Sequence, residues 1–261
     1  MGIDDIKIER REYKYLIDQN TVRNIRESIR PFCVVDPFAA THPNQRYTIE
    51  SLYFDNPGMQ LFWNNEIEAV DRFKLRIRHY PQTPDGPLFL EVKRRFNDVI
   101  SKTRGCIPRE GWQELVQHPP ADFRERLKAK DRNAVERFLA VRGLGDYQPL
   151  TVVRYEREPY VSVIDDYARI TFDTCIRSQP MRDLSFEVQP NAWRNMDDSE
   201  TMKHRESLTV LELKFTSAVP SWMVNIVRTQ ELHRLSFSKY GTSVKAWYSA
   251  RSPRIAAWKN S

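Results

Sequence analysis

The residues in this sequence best suited to chemistry are charged side chains spaced two apart. Glu12 and Lys14 alternate with Tyr13 and Tyr15, and Lys74, Arg76 and Arg78 alternate with Phe73, Leu75 and Ile77. Glu91 and Lys93 alternate with Leu90 and Val92, and Glu212 and Lys214 with Leu211, Leu213 and Phe215. Arg169, Thr171 and Asp173 repeat the pattern. Such spacing puts the charges on one face of a strand and the apolar residues on the other. An antiparallel sheet with one wet face gives the same alternation, and Glu-x-Lys pairs also serve as cross-strand ion pairs. Several such strands together favour another arrangement, in which helices cover the apolar faces and the charged faces turn inward into a barrel.

Rows of Lys and Arg facing one another away from bulk water repel, and a polyanion between them removes that cost. Phosphate chains suit such an interior. Arg forks hold non-bridging oxygens two at a time, and Lys supplies point charge. Carboxylates among the cations offer oxygen ligands to a divalent metal that bridges phosphate oxygens.

The elements that must position these residues follow from periodicity. Strands are expected at 6–17, 47–55, 73–80, 88–94, 150–157, 168–173 and 210–215. Asn20 or Thr21 can cap a helix whose Val22, Ile25 and Ile29 share a face, with Pro31 ending it. A longer helix is expected over 122–142, its stripe formed by Phe123, Leu127, Val135, Phe138 and Leu139, closed by Gly143. Pro220 opens another helix, and a last one is expected over 242–250. Residues 81–87 read as a hairpin connection and 194–206 as an exposed loop. Strands outnumber helices without a βαβ rhythm. The expected fold class is therefore α+β, an antiparallel eight-stranded β-barrel with peripheral helices, in one domain over 1–250 with a tail at 251–261.

Composition narrows the chemistry by exclusion. The chain has 261 residues, a net charge of +6, 40% hydrophobic and 11% aromatic residues, which is globular composition. None of the eight glycines precedes Lys, and neither GxGxxG, GxSxG nor HExxH occurs. Phosphates would thus be held without a glycine-rich cradle. Cys33, Cys106 and Cys175 are too few and too scattered for a disulfide framework or a zinc site. The most apolar stretch, 215–227, is short and broken by Pro220, and the N-terminus lacks a signal-like apolar core. A soluble, cytoplasmic protein is expected, with no nucleic-acid-binding signature.

Nine motifs in order carry a resemblance. They are RREYKYLI (10–17), SLYFDN (51–56), KLRIRHY (74–80), LEVKRR (90–95) and SKTR (101–104), then RYEREPY (154–160), RITFD (169–173), LELKF (211–215) and FSKY (237–240). Together they resemble the VTC (vacuolar transporter chaperone) polyphosphate polymerase domain, within the CYTH-like triphosphate tunnel metalloenzymes. The superfamily's opening Glu-x-Glu-x-Lys has Arg10 here in place of its first Glu, which points to the VTC branch. The resemblance implies a polyphosphate polymerase that moves the γ-phosphate of ATP onto a growing chain in a basic tunnel.

By the same resemblance, Lys14, Arg76, Arg78, Lys93, Arg157 and Lys239 are the expected catalytic set. Lys74, Lys102, Arg169 and Lys214 would add phosphate contacts, with hydrogen bonds from Tyr155 and Ser238. Glu212 would be the principal ligand of Mn²⁺ or Mg²⁺, with Glu12 and Glu91 as further candidates. Ser236 stands where the family often has Lys. His79 and His233 are read as structural, and the three cysteines as ordinary thiols. The alternatives are a tunnel-type triphosphatase, or a non-catalytic sensor of polyphosphate or nucleotide. The partners implied are ATP and inorganic polyphosphate. Neither the N-terminal sensor domain nor the membrane helices of the eukaryotic subunits are expected in this chain, which leaves a homo-oligomer or a membrane partner open.

Overall fold

Ten strands and eight helices are built from these periodicities in the computed structural model, which describes residues 11–248 apart from 98, 166, 217 and 236. The strands are β1 (Arg11–Ile17), β2 (Cys33–Val35), β3 (Tyr47–Asp55), β4 (Asp71–His79) and β5 (Leu88–Phe96). They continue with β6 (Val99–Ile107), β7 (Gln148–Ser162), β8 (Ala168–Pro180), β9 (Arg194–Asn195) and β10 (Thr209–Phe215). The helices are α1 (Gln19–Ile29), α2 (Pro37–Ala40), α3 (Gln60–Glu66) and α4 (Trp112–Gln117). Then follow α5 (Ala129–Leu144), α6 (Ser199–Met202), α7 (Ser221–Thr229) and α8 (Lys239–Tyr248).

One antiparallel sheet runs in the order β1-β10-β8-β7-β3-β4-β5-β6, with β2 added to β7 and β9 to β8. The sheet curls until its distant members meet. Lys93 on β5 lies 3.0 Å from both carboxylate oxygens of Glu12 on β1. Among the described residues no ladder joins β1 to β6. The eight-stranded barrel is therefore slit along one side, and the ion pair from β5 to β1 links its two flanks without a ladder.

Apolar residues cover the outside of the curl in two clusters. One packs Tyr15, Ile17, Ile170, Leu211, Leu213 and Phe215 against Val22, Ile25 and Ile29 of α1 and Trp222, Met223 and Ile226 of α7. The other packs Leu52, Phe54, Leu75, Ile77 and Leu90 against Leu61 and Phe62 of α3, Val135 and Phe138 of α5, and Val244 of α8. Each fully buried side chain of this size contributes about 1.5–3 kcal/mol. Gly105 on β6 lets α5 approach closely, because a Cβ there would meet Val135 Cγ2 at 2.7 Å. Asp131 of α5 then accepts from the Cys106 amide at 3.0 Å.

Several boundaries differ from the sequence expectation. α1 is capped by Asp18, whose Oδ1 accepts from the Thr21 amide at 2.7 Å, rather than by Asn20 or Thr21. The helix expected over 122–142 begins at Ala129, and residues 121–126 form turns before it. The first half of that apolar stripe came from Phe123 and Leu127, which pack against the same cluster without being helical. The 194–206 stretch holds β9 and α6 rather than loop alone. β8 runs on past Asp173 to Pro180, and the bulge at Cys175, with φ 53° and a register slip opposite it, breaks the alternation that marks a strand. β6 lies outside the strands expected from periodicity. The first residues of the strand expected over 6–17, the residues from 249 onward and the 251–261 tail lie outside the described residues.

Candidate functional site

Strand parity does place the charged faces inside the curl. On β4 the odd residues Phe73, Leu75 and Ile77 turn outward, so Lys74, Arg76 and Arg78 reach the hollow and meet partners from other strands. Arg76 donates to Glu91 on β5, with Nε 2.7 Å and Nη2 2.6 Å from Oε2, and its Nη1 lies 2.9 Å from Tyr53 Oη. Arg78 donates to Ser51 Oγ and Tyr155 Oη, each at 3.3 Å. Lys74 Nζ lies 2.8 Å from Ser238 Oγ. Lys102 on β6 lies 2.6 Å from the other Glu91 oxygen.

The opposite wall centres on Glu212 and Asp173. Arg157 forks onto Asp173 with two bonds of 2.7 Å and reaches Glu212 Oε2 at 3.1 Å. Lys239, delivered by the first turn of α8, lies 2.6 Å from Asp173 Oδ2 and 3.4 Å from Glu212 Oε1. Lys214 lies 2.6 Å from Glu212 Oε2. Lys14 sits between two carboxylates, 3.5 Å from Glu12 and 3.7 Å from Glu212, and donates to the Phe237 carbonyl at 3.1 Å. The Tyr155 ring carries Lys239 Nζ at 4.6 Å and the Arg157 guanidinium carbon at 5.4 Å from its centre.

Nine of these cations (Lys14, Lys74, Arg76, Arg78, Lys93, Lys102, Arg157, Lys214 and Lys239) share the hollow with four carboxylates, Glu12, Glu91, Asp173 and Glu212. Counted by formal charge, the cations exceed the carboxylates by five. Burial alone would raise the pKa of Glu212 and Glu12. Lys214, Lys239 and Arg157 around the first, and Lys93 and Lys14 around the second, outweigh it and hold both well below the usual carboxylate range. Burial, and then Lys14, Lys93 and Arg76, hold the Lys74 ammonium well below its ordinary value. Lys102 is 36% exposed at its side chain, yet its ammonium is turned inward to Glu91. Desolvation there, with Arg78 and Arg76 nearby, pushes its pKa down to about 7, and Glu91 opposes the fall.

A cavity of about 460 Å³ opens at one end, between Glu12 and Lys14 of β1 and Lys74, Lys93 and Arg95 of β4 and β5. Fourteen of the fifteen expected site residues are thereby brought into one constellation, counting Tyr155 and Ser238 as its hydrogen-bonding members. Arg169 shares the inward parity of β8 but lies exposed, its guanidinium 5.5 Å from the Tyr167 ring centre. Glu91 is inward too, yet it lies fully buried, held by Arg76 and Lys102, with Arg104 Nε 3.4 Å away, apart from the Glu12–Glu212 pair. Ser236 and Arg10 lie outside the described residues. Asp173, Tyr53 and Ser51 are site residues that the expected set left out. Asp173 had been visible as the last inward position of its alternating run, whereas Ser51 and Tyr53 sit in an unbroken buried strand with no polarity pattern to mark them.

The metal expectation can be weighed on the donors present. Among the described residues no group of three or more His, Cys, Asp or Glu is arranged to hold a metal ion. Mg²⁺ and its chemical relatives are commonly held by one or two carboxylates with substrate phosphates completing the shell. Glu12 and Glu212, both within 4 Å of the Lys14 ammonium, fit that need with hard oxygen ligands. His79 lies on the outside, 2.6 Å from Glu50 and 3.0 Å from Arg109, in a structural network.

Comparison with known proteins gives a match to the model of the VTC domain over residues 9–248. No curated protein matches the sequence. Among solved structures, a candidate adenylate cyclase from Bacillus halodurans is 10% identical with a TM-score of 0.48, covering 92% of this chain and 97% of its own. The Hippeastrum protein HpAC1, described as having a dominant triphosphatase activity, is 14% identical with a TM-score of 0.48, covering 95% of this chain and 99% of its own. The PH1819 protein of Pyrococcus horikoshii is 12% identical with a TM-score of 0.43, covering 91% of this chain and 99% of its own.

Proposed function

Because the chain belongs to the VTC domain family, we propose that it is a divalent-metal-dependent polyphosphate polymerase, transferring the γ-phosphate of ATP to the end of an inorganic polyphosphate chain. The observation that carries this reading is the inward excess of cations over carboxylates, which a phosphate chain neutralises. Arg76, Arg78 and Arg157 bring guanidinium forks that match phosphate oxygens two at a time, and the lysines add charge from several strands. Each Arg and Lys is held by a carboxylate or a hydroxyl, so the donors face the hollow and little reorganisation is needed.

Phosphoryl transfer depends mainly on positioning and charge neutralisation. The acceptor oxygen of a polyphosphate end is already ionised, so the reaction needs no strong general base. None of the described residues in the hollow is a histidine, which accords with that chemistry. Glu212, with Glu12, would hold the metal, which when bound supplies further neutralisation of the phosphate oxygens. Lys239 and Arg157, shared between Asp173 and Glu212, would bind the oxygens of the transferring phosphoryl group.

Incubation of the purified protein with ATP and Mn²⁺ or Mg²⁺, with products sized on a gel, tests the reading. Long phosphate chains with ADP are expected. Orthophosphate without polymer would identify a triphosphatase instead, and tight polyphosphate binding with no turnover under any metal would identify a sensor.

A further inference from the structure

The two ends of the hollow differ in chemistry. The end that opens into the cavity is rimmed by cations. At the other end the inward rows of β4 and β5 run on into aromatic residues: Tyr80 follows Arg78 by two positions, and Phe89 precedes Glu91 by two. Tyr47 is the register partner of Arg157 on β7. Phe38, projected by α2, meets Tyr47 at 4.9 Å and Tyr80 at 5.5 Å between ring centres, and His42 at 4.5 Å. Tyr47 and Tyr80 are 5.7 Å apart, and Tyr80 and Phe89 are 5.8 Å apart.

This cluster is incompletely covered, with Phe38 38% exposed and Tyr47, Tyr80 and Phe89 half-buried. Arg104 ties it to the charged interior. Its guanidinium carbon sits over Phe89, 3.7 Å from the ring centre, while the side chain donates to Tyr80 Oη at 3.3 Å and approaches Glu91 at 3.4 Å. One continuous surface therefore passes from aromatic faces, through the Arg104 guanidinium over Phe89, to the Arg78 and Arg76 forks.

We propose that this aromatic end is the binding platform for the base of a nucleoside triphosphate, whose phosphates then lie along Arg78 and Arg76. The inference rests on the phosphate-binding reading of the hollow and adds a second recognition element to it. Planar bases stack on aromatic and guanidinium faces with little dependence on which base is present. The platform therefore favours nucleoside triphosphates over bare triphosphates of equal charge, with weak discrimination between ATP and GTP. It also gives the hollow a direction, with the base at the aromatic end and the growing phosphate chain at the cationic cavity.

Equilibrium calorimetry without divalent metal, comparing ATP with methyl triphosphate, tests this on the whole chain. The two ligands carry the same triphosphate, and one lacks a base. The intact protein should bind ATP about tenfold more tightly, on the scale of one base stack. Phe38→Ala and, separately, Tyr80→Leu should bring ATP affinity to that of methyl triphosphate while leaving methyl triphosphate within twofold. Equal affinities in the intact protein, or equal losses for both ligands in both variants, would overturn the platform and leave the rings as a structural plug, with the phosphate reading still standing. Failure of the intact protein to bind either ligand would overturn both.

Discussion

Glu212 is contacted by Lys14, Arg157, Lys214 and Lys239, so its charge has a structural role beside the metal-holding one proposed for it. Glu212→Gln should lower metal-dependent turnover by about 100-fold or more. It also leaves those cations short of one counter-charge, so the ligand-free protein should lose roughly 1–3 kcal/mol. Denaturant unfolding with and without tripolyphosphate checks this, since the anion should restore most of the loss. A variant with full turnover would remove Glu212 from the mechanism. Lys102 gives a pH signature. With its pKa near 7, the ammonium is present below neutrality and lost above it, while a bound phosphate favours the charged form. Tripolyphosphate affinity should therefore weaken as pH rises from 6 to 8, by up to about tenfold per unit, and Lys102→Met should flatten that part of the profile. At this scale the site was largely legible, because alternating charge survives any error in element boundaries. Ser51 and Tyr53 were not, because a hydroxyl inside an apolar strand has no periodic signal.

Asp55, at the end of β3, shows how one strand terminus places a helix that supplies the site. Its carboxylate accepts from the Leu61 and Phe62 amides at 2.9 Å, satisfying the start of α3, and also receives the Tyr240 hydroxyl of α8. Tyr240 stacks on Tyr53 with centres 5.3 Å apart, and its neighbour Lys239 is thereby set against Asp173 and Glu212. Asp55→Ala strands two helix amides and a buried hydroxyl. It should cost about 2–4 kcal/mol, read from the shift in urea midpoint. Most strands were legible from period two, since each has one apolar and one charged face. The start of α5 was misplaced because Phe123 and Leu127 extend its apolar spacing into turns. β8 was cut short because a bulge at Cys175 interrupts alternation while leaving the strand intact.

Over the whole molecule the balance is between a covering of apolar helices and an interior that repels itself. The two outer clusters hold the curl in place, and the excess of cations inside opposes them. A polyanion should therefore act as a stabiliser as well as a substrate. At 100 times its Kd, tripolyphosphate should add about 2.7 kcal/mol to folding, seen as a rise in Tm, and the rise should shrink as salt screens the charges. Absence of any shift at saturating tripolyphosphate would contradict the charge distribution described here. Net charge alone, at +6, gave no hint of this, because acidic residues elsewhere mask what strand parity collects on one face.

The slit between β1 and β6 has a topological consequence. A cylinder sealed by backbone ladders accepts a polymer only by threading from a free end, and releasing a long product means sliding its full length back out. Here the Lys93–Glu12 pair reaches from β5 to β1 beside the cavity, and among the described residues no ladder joins β1 to β6. Parting β1 from β6 would break no ladder between them, and the edge of β1 is held instead by the Leu235 amide, which donates to the Lys14 carbonyl at 3.0 Å. The arrangement is that of a clasp, which can admit the middle of a strand sideways, rather than that of a needle's eye.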